Sequence, residues 1–227
     1  MQGLAVLMAA AQGLTMRRIL LLRGCGFHRA ARRLYARAAL TLSVLTYAAM
    51  LTQEILLARA GLLSLSTGLP LHVCSAVGLL IPPMLLTGRR GLWHITLYLG
   101  VPAGLLATLF PSVVRTPWPY LTHLSFHLLH GCVMLSPLLP LCMGTRPAPR
   151  GAALAGAFLL GLAVVAAGVN RLTGANYLFL NLPAPGTPMA ALARGGPAVY
   201  HGLLAGICAL VLTTEAVLVA WLTDRNG

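Results

Sequence analysis

With 227 residues, 58% hydrophobic, 8% charged and a mean hydropathy of +0.85, the chain has too little polar surface to cover a soluble globule. Its 16 basic residues, all arginine, stand against three acidic ones, a net charge of +13. In a soluble domain that excess would point to nucleic acid; among apolar runs, short arginine loops set membrane orientation instead, so no nucleic-acid partner is expected. Five cysteines without a CxxC pair exclude a disulfide framework and a zinc ribbon.

Apolar runs of about 20 residues, each enough to cross ~30 Å of hydrocarbon as a helix, favour an all-α polytopic bundle over a β-barrel. One integral membrane domain over residues 1–227 is expected, with about seven transmembrane helices. Met1 to Leu22 is apolar but interrupted by Arg17-Arg18; it reads as a first span, 3–22, with a signal-like segment as the alternative. Arg17 to Arg37 carries seven arginines and His28, read as a loop obeying the positive-inside rule or as an amphipathic segment held by anionic headgroups.

Further spans are expected at about 38–57, 69–87, 91–110, 119–143, 152–170 and 199–222. Placing the 17–37 loop inside leaves 12 arginines inside and only Arg59, Arg115, Arg171 and Arg194 outside. The amino end is then outside and the carboxyl end inside, in the cell membrane.

This topology assigns a depth to each polar residue. His72, Cys74, Glu54, His123, His127, His130, His201, Asn170, Asn176 and Tyr177 converge on the outer leaflet, while His94 and Glu215 lie nearer the inner one. Ionisable residues inside a span are costly and are functional candidates, although helix-bonding histidines can be structural glue. His123, His127 and His130 stand at i, i+4 and i+7, a single helical stripe. His72 and Cys74 stand two apart and on a regular helix point roughly 200° away from each other, so they cannot pair. A Cys74 nucleophile needs a base from another helix, and His130 is the candidate at matching depth. Pro70 is expected to start a helix whose free backbone donors lie near both residues. Otherwise Cys74 is a packing residue, the reading also given to Cys25, Cys132, Cys142 and Cys208.

His72, His123, His127, His130 and Cys74 are soft ligands, but the only aspartate, Asp224, falls at the inner end, so neither metal nor cofactor is expected. The stretch from Thr173 to Tyr200, with Pro183, Pro185, Pro188 and Gly195-Gly196-Pro197, is too apolar for a solvated linker and too broken for a span. It reads as an interfacial lid anchored by Tyr177, or as a plain interfacial loop. Gly100 and Gly104 form a small-residue ridge that admits a close neighbour.

Pro70-Leu71-His72-Val73-Cys74, His130, Asn170, Gly174, Asn176, Tyr177, Phe179 and Leu180 resemble the pattern of the bacterial YwaF-like integral membrane family, from the second span onward. His123 and His127 fall outside that pattern. More distantly, the chain is similar to the vertebrate transmembrane acyltransferase of ether phospholipids, which uses an acyl-cysteine. There a cysteine directly precedes the histidine; here Leu71 takes that place, so the nucleophile does not carry over, and Cys74 lies one turn further on.

The resemblance implies a lipid acyltransferase or acyl hydrolase acting on an acyl lipid. On the enzyme reading Cys74 or His72 would lie at the bond, His130 would be general base, and Asn170, Asn176 and Tyr177 would bind substrate, joined by Glu54 and His127 on their depth in the membrane and not on the resemblance. The alternatives are a small-solute or proton-coupled transporter, against which the absence of an internal repeat counts, and a lipid-binding protein without turnover.

Overall fold

The computed structural model describes residues 2–184, 187 and 189–224, and these form helices and turns with no strand among them. Pro185, Pro188 and Arg225, used above for the loop and the arginine count, lie outside the described residues. Seven long helices follow in order: α1 (Gln2–Gly24), α2 (His28–Arg59), α3 (Val73–Thr87), α4 (Arg90–Leu109), α5 (Pro119–Leu135), α6 (Arg150–Thr173) and α7 (Pro197–Asp224). α5 tightens into a 3-10 segment, Ser136–Met143. The all-α polytopic reading holds.

Among the described residues, five of these helices are long and apolar enough to cross a membrane: α2, α4, α5 with its extension, α6 and α7. The stretches 3–22 and 69–87 fall outside that set for different reasons. α1 is helical throughout, but Gln12 and Arg17-Arg18 dilute its apolar run, and the Gln12 Nε2 donates to the Leu135 carbonyl at 2.6 Å. α3 has 15 residues, about 22 Å at 1.5 Å each, short of a ~30 Å hydrocarbon layer. It starts at Val73 and not at Pro70, because Leu71 N–H closes a tight turn onto the Leu69 carbonyl and His72 is extended (φ −83°, ψ 149°).

The expected loop at 17–37 is replaced by continuous helix broken only at Cys25-Gly26-Phe27. Gly26 adopts φ 82°, a left-handed conformation that glycine takes without steric cost, and Phe27 N–H bonds back to the Leu22 carbonyl. α2 therefore begins ten residues before the apolar run at 38, since alanine and arginine are good helix formers and no proline intervenes.

α2 packs on α3 and α5, α1 on α2 and α5, α4 on α5 and α6, and α7 on α6. The core interleaves Val77, Ile81 and Met84 of α3 with Tyr98 and Leu99 of α4 and Leu129 and Val133 of α5. Large apolar side chains such as Leu160, Val164 and Leu210 remain outward-facing, as a hydrocarbon solvent allows. Within α4, Thr96–Gly100 widens to π geometry just before Pro102, whose missing N–H and bulky ring displace the regular ladder.

The glycine ridge is where expected and is what brings α4 against α5. A Cβ on Gly104 would stand 2.8 Å from the His130 carbonyl and 2.9 Å from the Met134 nitrogen; one on Gly100 would stand 2.9 Å from the Val133 carbonyl. These obstacles are backbone and cannot rotate aside. Gly104→Ala is expected to destabilise by about 1–3 kcal/mol, read as a lower unfolding temperature in detergent. Gly168→Ala, with nothing within 4 Å of the added carbon, is expected to be neutral or to stabilise by about 0.5–1 kcal/mol. Equal behaviour of the two would refute the ridge.

Candidate functional site

The stretch after α6 is a short loop fastened from three sides. α6 ends at Gly174, whose φ of 71° and N–H bond to the Asn170 carbonyl stop the helix. The buried Asn170 amide then clamps Tyr177 twice: Nδ2 donates to its carbonyl at 3.0 Å, and Oδ1 accepts its N–H at 2.8 Å. Asn176 closes the other half of the loop, accepting the N–H groups of Asn181 and Leu182 and donating to the Leu182 carbonyl. From α7, the Tyr200 hydroxyl donates to the Phe179 carbonyl and His201 Nε2 donates to the Leu180 carbonyl, both at 2.7 Å.

Tyr177, only 1% exposed, ties this loop to the segment between α2 and α3. Its hydroxyl donates to the Leu65 carbonyl at 3.0 Å and accepts the Leu69 N–H at 2.9 Å. Burial pushes the phenol above its ordinary range, opposed by the Leu69 N–H bond, with nearby Glu54 pushing the same way as burial. The proton therefore stays on the oxygen and the strut keeps its donor. So anchored, the loop holds Leu178 and Phe179 at φ 55°, a left-handed conformation costly for bulky side chains. Strain of this kind persists only where surrounding contacts over-determine it, and it clusters at functional sites.

The strained Phe179 is what His72 rests on. The His72 ring lies 5.0 Å from that of Phe179 and 5.3 Å from that of Tyr177. His72 is the residue capping α3, in extended conformation (φ −83°, ψ 149°), so the 200° separation computed for a regular helix does not describe it. The chain divides here: Leu69 and Leu71 pack with Tyr177, whereas Val73 and Cys74 pack into the main core. Among the described residues no hydrogen bond joins His72, Cys74 and His130. Cys74 occupies the first turn of α3, half-buried.

His130 on α5 is 8% exposed, its backbone pressed on Gly104 and its ring 4.0 Å from that of Phe126. Its Nδ1 lies 2.7 Å from the Phe126 carbonyl. A carbonyl oxygen only accepts, so Nδ1 carries the proton in the neutral ring and Nε2 holds the lone pair. Charge on His130 interacts with His72 and with His127. His123, His127 and His130 share one stripe as expected: His127 is buried, stacks on His123 at 6.4 Å, and its Nδ1 has no partner among the described residues.

Glu54 reaches the same end of the bundle from α2, with Oε2 directed toward Gly68 and its charge felt by Tyr177. His94 and Glu215 lie elsewhere, both near Tyr98. Among the described residues no three His, Cys, Asp or Glu side chains converge as metal ligands. Tyr200 and Phe126 escaped the sequence reading; the i, i+4 spacing of Phe126 and His130 was the one available signal.

The geometry is thus a polar end of a helical bundle where a stitched loop presses on His72 and faces the α5 histidines. No curated protein and no solved structure matches the chain. The model of the TMEM164 family matches residues 4–215, nearly its whole length. The chain therefore belongs to the TMEM164 family, as a membrane protein with several apolar helices.

Proposed function

We propose that this protein turns over acyl lipids in the cell membrane, as an acyltransferase or acyl hydrolase, at the site between His72 and His130. The observation that supports it most is the Nδ1 bond from His130 to the Phe126 carbonyl, which leaves the Nε2 lone pair free at a buried position. The acyl chemistry and the kinship to YwaF-like proteins rest on resemblance. Seven crossings with the amino end outside would put the site in the outer leaflet.

In this reading Cys74 Sγ attacks the ester carbonyl while His130 Nε2 takes the thiol proton. The lysolipid oxygen leaves with that proton, and the thioester passes to an acceptor hydroxyl or to water by the reverse relay. His72 polarises the carbonyl or replaces Cys74 as nucleophile. Glu54 and His127 line the approach. Asn170, Asn176 and Tyr177 act chiefly by holding the loop against His72, because their polar atoms are occupied by backbone partners.

Purified protein reconstituted with phospholipid is expected to release lysolipid and to carry an acyl mass on Cys74 that Cys74→Ala removes together with turnover. Protein that neither becomes acylated nor alters phospholipid would sink the reading. Among the described residues Nδ1 of His127 and Nε2 of Gln53 have no partner, which favours a second reading, a proton or solute carrier. Liposome uptake that depends on His127 and persists in Cys74→Ala would decide for it.

A further inference from the structure

A second group of ionisable side chains, apart from the His72 site, lies at the α1–α2 turn. The first turns of α2 carry Arg29, Arg32, Arg33 and Arg37 at i, i+3, i+4 and i+8, one stripe of the helix. With His28 they line a cavity of about 820 Å³ whose wall contains no carboxylate. Like charges at these spacings repel and weaken a helix, yet α2 runs unbroken from His28.

Glu54 and Glu215 do not neutralise this wall: Glu54 is near the other end of α2 and Glu215 is beside Tyr98. The neighbouring Arg23 is held separately, its guanidinium donating to the Cys142 carbonyl and so pinning the turn to the end of α5. Among the described residues the cavity wall thus gathers positive charge with no carboxylate in it, which an external anion can balance.

Guanidinium groups are planar forks that bind phosphate oxygens in pairs. Phe27, 62% exposed, and Leu34 line the same cavity, placing apolar surface beside the arginines as a headgroup with attached acyl chains requires. We propose that this cavity binds the phosphate of an anionic phospholipid headgroup. The assignment is independent of the acyl chemistry at His72.

The test uses the full-length protein in nanodiscs of mixed phosphatidylglycerol and phosphatidylcholine, with retained lipid counted by native mass spectrometry. Phosphatidylglycerol is expected to be retained preferentially, and Arg29→Gln/Arg33→Gln/Arg37→Gln to weaken retention by about fivefold for each arginine removed. Arg59→Gln, at the far end of α2, is expected to leave it unchanged. Should the triple variant fail to fold by circular dichroism, Arg33→Gln alone is expected to show its single share of the loss. Equal retention of the two lipids, or variants indistinguishable from the parent protein, overturns the site. Displacement of phosphatidylglycerol by micromolar inorganic pyrophosphate overturns the lipid source and assigns a soluble polyphosphate.

Discussion

His130→Gln is expected to lower phospholipid turnover by about 10²–10⁴-fold, the range for losing a positioned general base. Glutamine is chosen because its amide can still donate to the Phe126 carbonyl that holds Nδ1 in the native protein. It keeps the buried bond and removes the basic Nε2. Alanine would remove the Nδ1 bond, leaving that carbonyl only its helical N–H partner, and would open a cavity beside Phe126, so its effect would mix chemistry with packing. Turnover is measured alongside the unfolding temperature in detergent: a large rate loss with an unmoved temperature supports the base, and turnover within about threefold of the parent protein, well below the range for a base, refutes it.

Asn170→Ala is expected to cost about 1–3 kcal/mol, because it leaves the N–H of buried Tyr177 without a partner, while the Tyr177 carbonyl keeps only the longer bond from the Leu180 N–H at 3.3 Å. The amide makes both bonds itself, at 2.8 and 3.0 Å, from a residue only 3% exposed. Once released, Leu178 and Phe179 lose the constraint that keeps them at φ 55°, and His72 loses the rings it rests on. Hydrogen exchange provides the local readout. The N–H groups of Tyr177, Asn181 and Leu182 are expected to lose protection together, with the α5 core unchanged. Asn170→Asp keeps the acceptor for the Tyr177 N–H but not the donor for its carbonyl, so it should fall between the two. Full retention of loop protection in Asn170→Ala would show that Tyr200 and His201 suffice to hold the loop.

Much of the helical pattern was legible because hydrocarbon imposes it. A backbone in lipid must satisfy its own hydrogen bonds, so long apolar runs have one outcome. The runs at 119–143 and 199–222 agree closely with α5 plus its extension and with α7. Their polar flanks were less legible: the arginines of 17–37 look like loop on a hydropathy scale, yet arginine forms helix readily and only Gly26 breaks the chain there. The start of α3 depended on the tight turn from Leu69 to Leu71 and the extended backbone of His72, which hydropathy does not register.

The stripe of His123, His127 and His130 was readable from spacing, and Gly104 from its small size. Their joint effect, a glycine pressing the His130 backbone into place, was not, because it needs α4 and α5 at one level. Asn176 and Tyr177 illustrate the opposite limit. As polar residues near a membrane edge they read as substrate contacts, whereas their polar atoms are taken up by backbone groups at Leu182, Asn181, Leu65 and Leu69.

By itself the sequence determined the solvent, the helical class and the set of residues from which a site could be built, because composition and periodicity are properties of the chain alone. Only the tertiary structure decided that His72 caps a short helix instead of lying within one, that it rests on a strained loop, and that His130 directs its basic nitrogen away from Phe126. The strained loop depends on backbone groups distant in the chain, such as the carbonyls of Leu65 and Phe179 that accept from Tyr177 and Tyr200, and such bonds leave no periodic mark in a sequence.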